Sequence, residues 1–292
     1  MEKLTLKYRA WYKGIPPQKI KAGIPGWAGD HKRHDDGCTP QPWHCVPFME
    51  GALYGLELIY PFDNECRVTY DGKEMKFSGD FSSESKIWED GRRKSGSPPF
   101  MSFAPGHYGF TSSLDLEPPE GYVTRLEPHS RYYSDETGTV PLAVAGHLQR
   151  WWPQVFFVVF KAPWPGQTHI FRKGEPYAKI LLVPNKVEYD IIPFTNEEII
   201  VRQRRDDIIH KFGTSIMKST FKSDKGYPFN DKYRQLSKAY VKGGYEAMDK
   251  LLNHAILQVP SHKAKRIGKF VKIRKNVKLH QTKTGKCPWS GH

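Results

Sequence analysis

Cysteine is scarce in this chain, with only Cys38, Cys45, Cys66 and Cys287, none of them at a C-x-x-C spacing. That excludes a disulfide-dense scaffold and a paired-thiol metal knuckle, and the four thiols read as reduced. Long apolar runs are missing as well. The longest covers residues 155–160, six positions against the ~20 that a membrane helix needs, so no membrane partner is expected. The residues after Met1 lack the apolar stretch of a secretory leader, and the expected location is the cytoplasm. No internal repeat is visible, which disfavours solenoids and propellers. Acidic residues are absent from residues 261–292, a stretch that holds ten of the 45 Lys and Arg residues. The rest of the chain is close to balanced, although the whole carries +14.

Turn and strand formers are what the 292 residues do have, with 25 Gly, 23 Pro, 8 Trp, 15 Tyr and 16 Phe. A helical bundle is excluded by that composition. Residues 1–50, with Pro16-Pro17, Pro25-Gly26 and Pro40-Gln41-Pro42, read as an irregular Pro/Gly-rich arm. Residues 51–193 read as a β-rich core. Short apolar segments at 53–60, 66–70, 73–77, 109–116, 122–127, 143–148, 155–162, 168–171 and 177–183 are separated by turn residues, and Asp71-Gly72 suits a two-residue hairpin turn. The stretch 78–99 is polar and reads as an exposed loop. From Thr195 the period changes to that of a helix, with Glu198 completing a capping box and Gly213 closing the element. A second helix is expected over 231–257, kinked at Gly243-Gly244. Residues 194–260 are therefore a helical segment and 261–292 a basic tail. The expected class is α+β: mainly an antiparallel β-sandwich or a β-clip-like barrel core with a C-terminal helical extension.

Four groups of residues carry candidate chemistry. His31, His34, Cys38, His44 and Cys45, with Asp35 and Asp36 among them, are the side-chain types that bind Zn²⁺. Their spacing favours a polar loop in which Cys45 packs beside Trp43. Ser130 and Arg131, beside His129, could hold a phosphate in a turn after Pro128, with Glu127 or Glu175 as the acid of a hydrolase. The plainer reading is a surface loop at a strand end, and a turn for Gly174-Glu175-Pro176. Trp151 and Trp152 at a strand entrance read mostly as core, with the outward one available to stack on a base or a partner protein. In the tail, Lys263, Lys265, Arg266, Lys269, Lys272, Arg274, Lys275 and Lys278 could neutralise the phosphates of nucleic acid or meet an acidic protein.

Two resemblances add to this reading. Pro118-Pro119-Glu120-Gly121, Trp151-Trp152-Pro153, Gly174-Glu175-Pro176 and Pro42-Trp43-His44-Cys45 look like the marks of an uncharacterised phage and bacterial family. That resemblance implies a phage-encoded accessory protein in the host cytoplasm and brings no activity with it. The order of features from Phe110 to Pro184 more weakly resembles the trimeric dUTPase and dCTP deaminase superfamily. The places concerned are Leu114 to Tyr122, Pro128-His129-Ser130-Arg131, Ala145-Gly146-His147-Leu148, residues 155–160, and Lys173 to Ile180. The phosphate motif departs from that superfamily's Arg-Ser-Ser, and the pocket acid has no counterpart near 144–150. This resemblance implies a β-rich fold, a homotrimer with pockets between subunits, and Mg²⁺ on a triphosphate if a nucleotide pyrophosphatase or deaminase activity persists. The reading taken forward is a non-enzymatic binding or structural protein. A nucleotide hydrolase comes second and a zinc-binding protein third.

Overall fold

A computed structural model of the chain describes residues 3–10, 13–21, 46–81, 99–132, 139–152, 156–218, 220–222 and 228–257. The chain divides into two compact units, Met1–Asp190 and Ile191–His292. The first unit is β-rich and the second mainly helical.

In the first unit, the stretch read as an irregular arm contains β1 (Lys7–Ala10), β2 (Gln18–Lys19) and the start of helix α1 (Val46–Leu53). The strands that follow are β3 (Leu56–Ile59), β4 (Cys66–Tyr70), β5 (Met75–Ser78), β6 (Phe100–Ala104), β7 (His107–Thr111), β8 (Leu114–Glu117), β9 (Tyr122–Glu127), β10 (Gly146–Leu148), β11 (Phe157–Lys161), β12 (Thr168–Phe171) and β13 (Pro176–Pro184). They pair antiparallel in the orders β1-β8, β10-β9-β13-β3-β2, β11-β7-β6 and β12-β4-β5. Among the described residues these sheets stay separate and no closed barrel forms.

The two-residue alternation of a strand decides which side chains meet. On β7, Tyr108 and Phe110 face inward, and on β11, Val158 and Phe160 do. They join Tyr60, Phe62, Phe81, Phe100, Phe171 and Tyr177 in one buried core drawn from all of the sheets. The intervening Gly109 faces outward and lies under the Phe157 ring, whose nearest atom would be 1.8 Å from a Cβ built there. Only glycine leaves room for that ring at this place. Cys66, the one cysteine among the described residues, is a free thiol in this core, and loss of water pushes its pKa up.

Three local expectations change. The hairpin after β4 is a four-residue connection, since Tyr70 pairs with Met75. Asp71 draws the chain into this wider turn because its Oδ1 accepts the N–H groups of Lys73 at 2.9 Å and Glu74 at 2.8 Å, while Gly72 takes φ +96°. The 109–116 run is two strands. Ser113 adopts φ +58°, and the Ser112 Oγ donates to the Phe156 carbonyl at 2.9 Å, so the chain leaves β7 and β8 pairs with β1 instead. The 143–148 segment contributes β10 and, separately, a bridge from Ala143 to Phe160 beside β11.

The second unit contains α2 (Asn196–Phe212), a hairpin of β14 (Thr220–Lys222) and β15 (Pro228–Asn230), and α3 (Lys232–Leu257). The capping box is present: the Glu198 N–H donates to Thr195 Oγ1 at 3.3 Å and the Thr195 N–H donates to Glu198 Oε2 at 2.8 Å. Gly213 keeps a helical φ of −59°, so α2 tightens into a 3₁₀ turn through Ser215 instead of ending on a left-handed cap. Gly243 and Gly244 leave helical geometry and break α3, with Gly244 at φ +61°. Among the described residues, the buried apolar side chains of this unit are Ile216, Leu252 and Ala255. Among the described residues no helix is long and apolar enough to cross a membrane.

Candidate functional site

One polar face in the first unit is built by strand register. Gln18 on β2, Glu57 on β3, Lys179 on β13 and Glu127 on β9 are cross-strand neighbours and form a single row over the sheet. Arg125, two residues before Glu127 and on the same face, reaches Glu127 Oε1 at 2.9 Å, and Lys179 Nζ lies 3.5 Å from Glu127 Oε2. Glu57 and Lys179 are both buried. His129, in the turn after β9, completes the row with its Nε2 3.4 Å from Glu57 Oε2. Its Nδ1 accepts the Arg131 N–H at 3.2 Å, so the proton of the neutral ring sits on Nε2 and faces the carboxylate. Burial pushes the His129 pKa down, the Glu57 carboxylate works against that, and Arg131 and Lys179 add to the lowering.

The consequence for stability has a definite sign. A histidine held neutral in the fold protonates more readily in the unfolded chain, so its contribution is complete above the ordinary value of 6.5 and is lost as the pH falls below it. Urea unfolding between pH 8 and 5.5 is expected to show stability falling below about pH 6.5 with a slope of at most about 1.4 kcal/mol per pH unit. The variant His129→Gln is expected to flatten that slope. An unchanged slope in the variant would show that another group controls it.

The catalytic candidates Ser130, Arg131, Glu127 and Glu175 lie around this face without converging on one point. The turn 130–132 is a 3₁₀ turn rather than a surface loop, and His129 and Ser130 are buried in it. Ser130 Oγ donates at 2.9 Å to the carbonyl of Ala52, one of the last carbonyls of α1, which the helix itself leaves without a donor. That hydroxyl is committed to seating a helix. Arg131 turns the other way, with Nη2 3.5 Å from Glu175 Oε2 and its guanidinium 5.1 Å from the Tyr132 ring centre. Glu175 is also 4.0 Å from Arg172, which in turn bonds Glu65 at 2.8 Å, and Glu65 meets Arg67 at 2.7 Å. Glu175 is thus a link in a surface chain of alternating charges, and Glu127, half-buried, is committed to Lys179 and Arg125 in the row. Among the described residues no group of three or more His, Cys, Asp or Glu side chains is placed to hold a metal.

Trp151 and Trp152 correct the expectation of a strand entrance anchored in the core. They end a turn after β10, closed by the Trp152 N–H donating to the Gln149 carbonyl at 3.1 Å, and their side chains are 72% and 39% exposed. A turn frees both residues from the alternation that would have buried one of them. Its base is fixed on two sides. Arg150 donates to the Pro118 carbonyl at 3.2 Å and meets Glu117 at 2.5 Å, while Gln149 donates to the Asn185 side chain at 3.3 Å. The two indole rings stand at 81° with centroids 5.9 Å apart. This edge-to-face arrangement leaves indole surface exposed on a turn tied to the body at two points, and exposed indoles are a surface on which bases or other flat groups stack.

The metal candidates His31, His34, Cys38, His44 and Cys45 lie outside the described residues, as do the tail residues Lys263, Lys265, Arg266, Lys269, Lys272, Arg274, Lys275 and Lys278. The placing of Glu57 and Lys179 side by side in the sheet register was the part that sequence reading missed. Its signal was one isolated charge in each of two otherwise apolar strands, Leu56-Glu57-Leu58-Ile59 and Tyr177-Ala178-Lys179-Ile180, with opposite signs.

No family model and no curated protein matches this chain. Among solved structures, the dUTPase of Staphylococcus bacteriophage 80alpha is similar over 66% of this chain and 96% of its own, at 10% identity and a TM-score of 0.34. The dUTPase from phage phi11 of S. aureus is similar over 66% and 98%, at 11% identity and a TM-score of 0.33. The EIAV dUTPase covers the same shares at 8% identity and a TM-score of 0.32. At these scores the likeness assigns no residue role and no activity.

Proposed function

We propose that this chain is a non-enzymatic accessory protein that binds nucleic acid, with Trp151 and Trp152 as a stacking platform and the basic residues from Lys263 to Lys278 as phosphate contacts. The observation that carries the reading is the exposed tryptophan pair on a turn fixed through Arg150 and Gln149. A folded protein that spends two ion-pair and hydrogen-bond anchors on holding two indoles in water has a surface ready for a flat ligand. The candidate catalytic groups support the same reading, because Ser130 seats α1, Arg131 and Glu175 pair with each other, and Glu127 is committed to Lys179 in the row. The tail supplies ten positive charges and no negative one, which favours a polyanion over a neutral partner.

Titration of a labelled single-stranded oligonucleotide of about 20 nucleotides by fluorescence anisotropy, at several salt concentrations, separates the two contributions. Replacing Trp151 and Trp152 by alanine is expected to weaken binding by about 1–3 kcal/mol for each base that loses its platform, with the salt slope unchanged. Deleting residues 261–292 is expected to remove most of the slope, which reaches about −0.7 per phosphate neutralised on a single strand. Full affinity in the double tryptophan variant, or no binding at low salt, would refute the proposal. Pyrophosphate release from dUTP or dCTP by the purified chain would replace it with the hydrolase reading.

A further inference from the structure

The second unit carries a groove and an arm of complementary character. The groove runs between α2 and α3, encloses about 310 Å³, and has Val201, Ile208 and Leu252 as its apolar lining. Its polar rim holds Arg204, Asn253 and the Arg205–Asp249 pair. That pair is a two-bond fork, with Arg205 Nε and Nη2 each donating to Asp249 at 3.0 Å, and the guanidinium also stands 4.4 Å from the Tyr245 ring centre. Asp249 therefore neutralises Arg205, and the charge left at the groove mouth is that of the exposed Arg204.

The arm precedes and opens α2. Ile191 is 94% exposed, Ile192 82%, Phe194 56% and Ile200 68%. Its direction is fixed by the capping box at Thr195 and by Arg202, whose guanidinium lies 4.8 Å from the Phe194 ring centre. Acidic residues accompany it in sequence, Glu188 and Asp190 before the apolar pair and Glu197 after it, all exposed. The sign is opposite to that of the groove mouth.

We infer that the α2/α3 groove receives the Ile191–Ile200 arm of a second copy of this chain. Charge excludes the chain's own basic tail, which holds ten Lys and Arg and no acid and would meet Arg204 with the same sign. Area supports the copy. At roughly 150–200 Å² per large apolar side chain, the four arm residues present about 500 Å². Two arms covered in this way bury about 1,000 Å² from the arms alone, the low end for a specific interface. A head-to-tail contact of this kind closes as a reciprocal pair or as a small ring, and in both every arm and every groove is used. The need for burial is plain in the unit itself, whose buried apolar residues number three among those described.

Sedimentation velocity of the nuclease-treated full chain over about 1–100 µM tests this, with circular dichroism to establish that each variant is folded. The native chain is expected to self-associate. The arm variant Ile191→Ser with Ile192→Ser, and the groove variant Arg204→Glu, are each expected to weaken association at least tenfold. Mixing the two variants is expected to restore a hetero-oligomer, because the intact arm of one meets the intact groove of the other, a complementation that a general loss of stability does not produce. Adding Glu197→Lys to Arg204→Glu is expected to recover part of the loss by exchanging the charges. A native chain that stays monomeric to 100 µM overturns the inference. So does association that survives both variants, or that is lost only on deleting residues 261–292.

Discussion

Phe110→Ala is expected to lower the free energy of unfolding by about 3–5 kcal/mol, the cost of removing a fully buried aromatic ring from a core that cannot collapse onto the space. Phe110 has no exposed surface and lies at the centre of the aromatic cluster. Its ring is 4.8 Å from Phe100, 5.0 Å from Tyr177, 5.7 Å from Tyr60, 6.2 Å from Phe62 and 6.3 Å from Phe171, centre to centre. These rings come from four strands or their flanks, β6, β13, β12 and the segment after β3, and those strands are held in their own sheets, so the rings cannot move in to fill the gap without disturbing register. Against a total stability of about 5–15 kcal/mol the loss is large enough to populate the unfolded chain. Phe110→Leu keeps most of the volume and is expected to cost about 1–1.5 kcal/mol. Phe103→Ala is the contrast, because that ring is 61% exposed and touches mainly Phe157, and it is expected to cost less than about 1 kcal/mol. Chemical denaturation of the three variants ranks them. A Phe110→Ala cost below that of Phe103→Ala would mean that the cluster is not the core of this unit.

Alternation of apolar and polar residues was enough to locate β9 and β12 and to show an antiparallel, β-rich body, because period-two patterning is written residue by residue. The α2 start was equally legible, since a capping box is a local device that needs only Thr195 and Glu198. Turn geometry was less so. Asp71 could close either a two-residue or a four-residue hairpin, and its bonds to the N–H groups of Lys73 and Glu74 decide for the longer one. The tryptophan pair misled for a related reason. Two large aromatics beside the 155–160 run read as core, and only the turn closed on Gln149, with Arg150 tied to a distant strand, places both in solvent. At His129-Ser130-Arg131 the polar residue types suggested surface, whereas their burial depends on a helix carbonyl and a carboxylate that arrive from the 52–57 region. Partners so far apart in sequence are joined by sheet order, and order is set by which strands cover the core, not by the residues of any one strand.

The buried charge row leads to the second large effect. Lys179 stands between Glu57 and Glu127 in register, with a side chain only 6% exposed. Lys179→Met keeps the apolar stem and removes the ammonium, leaving the carboxylates of the two flanking strands with no cation between them. Breaking a buried pair by deleting one partner costs about 3–5 kcal/mol, most of it the desolvation of the charge left behind. The pair broken is Lys179–Glu127, 3.5 Å apart, and half-buried Glu127 retains Arg125 at 2.9 Å, which places the cost at the low end of that range; Glu57, the register neighbour of Lys179 on the other side, loses a nearby positive charge and keeps His129 at 3.4 Å. The loss is expected to be full at pH 7.5 and to shrink toward pH 5: burial still holds the His129 pKa down, but removing Lys179 takes away one of the charges that add to that lowering, so His129 protonates more readily and supplies part of the missing positive charge. The stability decline on acidification that His129 imposes on the native chain is therefore expected to flatten in the variant. The double variant Glu57→Gln with Lys179→Met is expected to regain part of the loss, since an amide leaves no net charge in the row, and a cycle over the four proteins gives the coupling directly. Urea unfolding at both pH values decides it: a cost under about 1 kcal/mol, or one independent of pH, would show that Lys179 contributes by packing its stem and that the row is not held by charge.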